Sequence, residues 1–396
     1  MFAACGVRNV AYGISAVITG LYLASLGLST VAIGATFTAA LAGGALLTVA
    51  FSSVADRVGR RTVLRLSALL MAVSAAGFAL SSQPGLLALT AALGAANPSG
   101  KEVGPFGSIE QAILPEVVGD TSRTAAFAVY NMVSSLAGAL GALAVGLPGL
   151  AGLHGSAGYR ALVWAYAGLA LALLALYAGL SPEVDISPSR ASTGDRRFAE
   201  RLGLGASAPI VVRLAALFAV DAFAGGFVVQ SILAYWFALR YGIGPGDLGA
   251  IFFGANLASA LSFLAAVPLA RRIGLLNTMV FTHLPSNVLL LLVPLMPSLQ
   301  LAVGLLLVRF LLSQLDVPTR QSYTMAVVQP GERSAAAGFT SVARNTAQAI
   351  APSFTAATLA VPALGLPFII GGSLKIVYDL AVLAAFRSLR PPEERG

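Results

Sequence analysis

The sequence predicts an all-α membrane protein with twelve transmembrane helices in two halves of six. Three observations carry that prediction. Of 396 residues, 57% are hydrophobic and only 10% are charged, with a mean hydropathy of +0.85, whereas a soluble domain carries about a quarter charged residues. Apolar runs recur along the chain at the length of a bilayer-crossing helix, about twenty residues, and not as the short alternating segments of a barrel. The second half also repeats landmarks of the first. Val117-Val118 followed by Arg123 matches Val327-Val328 followed by Arg333, and Leu26-Gly27-Leu28 matches Tyr241-Gly242-Ile243. The two offsets, 210 and 215 residues, imply one small insertion between the halves.

Taken in order, the runs lie near 7–27, 31–52, 62–81, 85–113, 123–147, 159–180, 210–238, 246–269, 275–296, 299–326, 334–359 and 364–386. Loop charge sets their orientation. The even-numbered loops hold Arg57, Arg60, Arg61, Arg65, Arg123, Arg190, Arg196, Arg197, Arg201, Arg271, Arg272 and Arg333, and the opposite loops little beyond Arg160 and Arg240. The positive-inside rule then puts both termini in the cytoplasm. The longest polar segment, Ser181 to Gly205, is rich in Pro, Ser and charge and separates the halves. The expected organisation is a six-helix bundle over 1–180, a central loop over 181–209, a second bundle over 210–388 and a tail over 389–396. Within the loop, Arg196 to Leu202 fits a short amphipathic helix on the membrane surface.

Composition also excludes several classes. The net charge of +8 is spread over short loops and not gathered in one patch, so positive-inside topology explains it and nucleic acid is not an expected partner. A lone Cys5 excludes an internal disulfide, and His154 and His283 are too far apart in sequence to suggest a metal centre. No Gly-rich phosphate loop or nucleophile motif is present, so neither an ATP-driven pump nor an enzyme is expected, and no cofactor. The first run lacks a basic n-region and a small-residue cleavage site, and reads as a permanent helix.

The loop after the second run, Val54-Ala55-Asp56-Arg57-Val58-Gly59-Arg60-Arg61, resembles the loop between helices two and three of the major facilitator superfamily, with Ser52 where the family usually has Gly. Its degenerate copy is Ala270-Arg271-Arg272-Ile273-Gly274. The resemblance, to bacterial twelve-helix members, covers the whole chain. It implies two six-helix bundles related by pseudo-two-fold symmetry, a substrate site between them, and secondary active transport by alternating access. It further implies that Asp56 works as a conformational latch near Arg333, with Arg57, Gly59, Arg60 and Arg61 holding the loop at the lipid surface. The family's antiporter signature is not reproduced in the fifth run. Ala137-Gly138-Ala139-Leu140-Gly141 there suits close helix packing instead.

A charge at membrane depth costs about 2.5–3.5 kcal/mol on insertion scales, so each one needs a partner or a polar cavity. In the tenth run, Arg309, Ser313, Asp316 and Arg320 fall on one helical stripe. Asp316 and Arg320 alternatively form only an i,i+4 pair. In the first run, Arg8 either faces the interior with Asn9 and Tyr12 or snorkels to the interface. In the fourth, Asn97 to Pro105 holds two prolines and two glycines that break the helix, with Lys101 and Glu102 at that depth. The alternative is a helix end whose charges reach water. Glu110 aligns with Arg320 at the 210 offset, which suggests an opposed pair acting as a gate. Asp221 stands as an isolated acid in the seventh run, with Arg213, Arg8 or Lys101 as partners and either proton coupling or structural pairing as its role. Arg344 and Gln348 in the eleventh run offer hydrogen bonds to a polar substrate or to a neighbouring helix. Lys375 and Asp379, four apart, are expected to satisfy each other.

The expected function is proton-coupled efflux of a small organic compound across the plasma or inner membrane by a monomer in the lipid bilayer. The surplus of Arg8, Lys101, Arg309 and Arg344 over acids at depth motivates the alternative, an anionic metabolite. A sensor or scaffold with this fold is the third reading.

Overall fold

The computed structural model describes residues 1–101, 104–110, 123–181, 205–329, 332–358 and 361–389. Among these the regular structure is all helix, the form that satisfies the backbone where no water is at hand. The first helices are α1 (Phe2–Ser25), α2 (Thr30–Val58), α3 (Arg60–Leu80), α4 (Pro84–Thr90), α5 (Arg123–Ala144) and α6 (Gly155–Ala178). There follow α7 (Ala208–Gly226), α8 (Gln230–Tyr241), α9 (Pro245–Ile273), α10 (Leu275–Leu292), α11 (Leu299–Ser313), α12 (Asp316–Val327), α13 (Arg333–Thr358) and α14 (Leu366–Phe386). By length and composition, ten helical spans among the described residues can cross a membrane.

Each expected run carries a helix, but three are interrupted. The seventh splits into α7 and α8 around Phe227–Val229, and the tenth into α11 and α12 at Gln314-Leu315. The fourth passes from α4 into a π turn, Ala91–Ala95, with Gly94 at φ 111°, and then leaves the helix. The loop copies predicted from the sequence share one backbone solution. Gly59 (φ 97°) joins α2 to α3, and Gly274 (φ 86°) joins α9 to α10. Only glycine adopts such angles without strain, so the repeat is read in conformation as well as in sequence.

Two compact units are present, and neither is contiguous in sequence. The first comprises Met1–Arg190, Val228–Leu257 and Pro352–Pro362, and the second Ala191–Phe227, Ala258–Ala351 and Ala363–Gly396. In the first unit, α1 is the central element and packs on α5, α6 and α8. Small residues allow the contact with α5: a Cβ on Gly13 would lie 2.1 Å from the Gly138 carbonyl oxygen, and one on Gly141 would lie 2.0 Å from that of Val10. Helix α8 belongs to this unit because Ser231 Oγ donates to the Ala16 carbonyl at 2.7 Å and Gly20 packs against Tyr235.

In the second unit, α10 packs on α11, α12 and α14, over a core of Leu214, Phe218, Met279, Tyr323, Tyr378 and Phe386. The start of α7 is fixed by Glu332, whose carboxylate accepts the Ser207 N–H at 3.0 Å. Desolvation opposes that charge, but hydrogen bonds from Ser207, Gly205 and Ala206 hold the carboxyl below its usual range. At its other end α7 lies directly on α13. A Cβ on Gly226 would meet the Gln348 carbonyl at 2.7 Å and the Ala351 side chain at 2.5 Å.

Candidate functional site

Beside the close approach of α7 and α13 at Gly226, a polar cluster is built around Asp221. Asp221 is 3% exposed. Its Oδ1 accepts from Lys375 Nζ on α14 at 2.5 Å, and its Oδ2 from Arg344 Nη1 on α13 at 3.1 Å. Arg320 Nη1 on α12 lies 3.5 Å from the same oxygen and donates to Asp316 Oδ2 at 2.6 Å. Burying an ion costs several kcal/mol unless partners compensate it. Here one carboxylate is the counter-ion for three cations drawn from three helices.

A second branch runs through α10. His283 and Asn287 stand one turn apart on one face of that helix and both reach Asp379 on α14. His283 Nδ1 is 2.8 Å from Asp379 Oδ1, and Asn287 Nδ2 donates to Asp379 Oδ2 at 2.9 Å. The short nitrogen-to-oxygen contact requires one proton between imidazole and carboxyl. On its other side, His283 Nε2 lies 3.9 Å from Asp221 Oδ1.

Arg309 on α11 completes the set and differs from the rest. It is 7% exposed, yet no described residue gives it a hydrogen bond or an ion pair, and its Nε is buried without a partner. The Phe310 ring lies 5.0 Å from its guanidinium carbon. Such a stack is worth about 0.5–2 kcal/mol, less than the desolvation of the ion.

The first unit holds a second buried network. Arg8 Nη2 donates to Glu110 Oε2 at 2.7 Å. Tyr130 and Tyr177 donate to the two carboxylate oxygens at 2.7 Å each and accept from the Arg8 guanidinium at 2.9 Å. Phe106 stacks under the guanidinium at 5.1 Å. The broken fourth helix lies in this unit too. Asn97 caps its loop by donating to the Lys101 carbonyl and accepting from Ser99, and the Pro98 carbonyl accepts from Ser231 N–H at 3.0 Å.

The family model of the Major Facilitator Superfamily matches residues 1–352. The chain belongs to that superfamily. The Uncharacterized membrane protein YJR124C of Saccharomyces cerevisiae is 26% identical over 416 residues, spanning 98% of this chain and 93% of that protein. Solved superfamily structures have the same fold. The nucleoside transporter NupG aligns at a TM-score of 0.72 with 14% identity, over 98% of both chains. A bacterial homologue of the human lysosomal transporter Spinster, inward-facing and occupied, aligns at 0.73 with 14% identity, over 98% of this chain and 96% of that one. The human organic anion transporter MFSD10 aligns at 0.65 with 18% identity, over 96% and 97%. The protein is therefore a multi-pass membrane transporter of small molecules and not an enzyme.

Within this superfamily member, several sequence expectations change. Arg8 does not snorkel, because Glu110 draws it into the interior as a fully buried pair. Asn9 donates to the Cys5 carbonyl of its own helix, and Tyr12 packs in the apolar core of the first unit. Lys101 is exposed. Asp221 is not isolated, and its partners are Lys375, Arg344 and Arg320. Lys375 and Asp379 do not satisfy each other, since each has a stronger long-range partner. The Asp316–Arg320 pair forms as its spacing predicts, and all four stripe residues are buried although the helix breaks between Ser313 and Asp316. Gln348 contributes its backbone to the Gly226 contact while its side chain is half-buried. Glu110 and Arg320 each have partners inside their own unit. Glu102, the segment Arg196 to Leu202, and the side chains of Asp56, Arg57 and Arg333 lie outside the described residues. Sequence reasoning missed His283, Asn287 and the roles of Lys375 and Asp379. The available signal was His283 and Asn287 one turn apart in a membrane-length run without any acid or base besides the histidine.

Proposed function

We propose that this chain is a secondary active transporter that exports a small organic compound by alternating access in exchange for protons. The sequence halves 1–180 and 210–388 are its repeats, the protein works as a monomer in the plasma or inner membrane, and its termini are cytoplasmic. The observation that carries the reading is the contact between His283 and Asp379. A shared proton in a buried site, one imidazole away from the counter-ion of three cations, links protonation to the charge balance of the whole cluster. For Asp221 the sequence leaves proton coupling and structural pairing both open. With Lys375, Arg344 and Arg320 around that acid, the His283–Asp379 pair suits the role better.

Purified protein in proteoliposomes with an internal pH dye tests the proposal. A transported compound should cause proton movement opposite to its own. His283→Gln and Asp379→Asn should each abolish that proton movement while solute-for-solute exchange continues. Flux with no proton movement in the unmodified protein, or full coupling in both variants, would overturn the coupling assignment.

A further inference from the structure

We propose that Arg309 is the anchor of an anion-binding site, so that the transported compound is an organic anion recognised through a carboxylate or phosphate group. The proposal deepens the transport reading and rests on it for the word transported. Its basis is charge bookkeeping inside the second unit. Among its described residues that unit buries three carboxylates, and all three are engaged: Asp316 by Arg320, Asp221 by Lys375 and Arg344, and Asp379 by His283 and Asn287. Against them stand the buried Arg309, Arg320 and Lys375 and the partly exposed Arg344, one cation more than the acids.

The surplus charge falls on Arg309. It is within electrostatic reach of Asp221 and Asp316 but outside ion-pair distance of both, and its buried Nε has no acceptor. A cation kept at a buried position with no acceptor of its own is what a site for an anionic ligand requires. The planar guanidinium fork matches the two oxygens of a carboxylate or phosphate, and Phe310 supports one face of it. Arg344 is the more exposed of the Asp221 partners, with 27% of its side chain accessible, and can give up part of its bond to Asp221 when an incoming anion supplies a second charge.

Thermal unfolding of the purified full-length protein tests this at constant ionic strength, with inorganic phosphate, succinate and neutral uridine as probes. Phosphate or succinate should raise the melting temperature, and uridine should not. The phosphate and succinate arms report which anion chemistry is preferred. Arg309→Gln should weaken the effective probe by about 10- to 100-fold, and without ligand it should melt no lower than the unmodified protein, because a buried unpaired charge has been removed. Arg309→Lys keeps the charge but loses the fork, and should fall between them; it carries the test if Arg309→Gln does not purify. Stabilisation by neither anion, or undiminished anion binding in Arg309→Gln, would overturn the proposal. The two readings fail separately. Proton-coupled flux of a neutral compound without anion binding removes this site and leaves transport, whereas Arg309-dependent anion binding without any flux does the reverse.

Discussion

Glu110 accepts hydrogen bonds from three donors, Arg8, Tyr130 and Tyr177, and its fully buried carboxylate is the only acid in ion-pair contact with Arg8 among the described residues. Removing one charge of such a pair is far more damaging than removing both, because the survivor stays buried without compensation. Glu110→Gln should therefore cost about 3–5 kcal/mol, read as a lower melting temperature of the purified protein. Arg8→Gln combined with Glu110→Gln should recover a large part of it. A double variant no more stable than the single would show that the pair is not the source of the cost. At this scale the sequence exposed the charged residues but not their partners. Asp316 and Arg320 were legible as a pair because helical spacing brings them together. Lys375 and Asp379 have the same spacing and yet bond to Asp221 and His283, 154 and 96 residues away. Local periodicity has no means of ranking a neighbour on the same helix against a better-aligned group on another.

Helices in this molecule meet where side chains are absent, and the glycines of α1 and α5 show how selective that is. A Cβ on Gly141 would sit 2.0 Å from the Val10 carbonyl oxygen, inside any tolerable contact, whereas one on Gly138 would lie 3.8 Å from its nearest neighbour, the Asn9 carbonyl. Gly141→Ala must push α5 off α1 and should cost about 1–3 kcal/mol, the usual range for overpacking. Gly138→Ala should change stability little. Thermal unfolding of the two variants side by side checks this, and equal melting temperatures would refute the packing account. The alanine and glycine pattern of the fifth run did predict close packing, although not which glycine bears it. Breaks in helices were legible only where residue chemistry marks them. The Pro/Gly-rich stretch after Ala95 carries a dense mark, whereas the break at Gln314-Leu315 carries a single one, Pro318, which has no N–H for the Gln314 carbonyl one turn back and whose ring crowds it.

The two compact units use their ionisable groups in opposite ways. Among the described residues, the first pairs one buried arginine with one buried glutamate, and two tyrosine hydroxyls bond to both. The second leaves a cation over and places a histidine between two carboxylates. Composition and hydropathy made the membrane fold legible across the whole chain, because twelve apolar runs leave few alternatives. This asymmetry was not legible, since it depends on which charges meet. It separates stability from transport. Arg8→Gln with Glu110→Gln removes a neutral pair and should leave flux in proteoliposomes close to that of the unmodified protein. Asp221→Asn should abolish flux, because Lys375 and Arg344 lose their shared counter-ion and the cluster gains net positive charge. Fluorescence-detected gel filtration of both variants separates loss of folding from loss of transport. If the neutral Arg8 and Glu110 variant folds but transports nothing, the first unit's pair belongs to the transport machinery and the division drawn here fails.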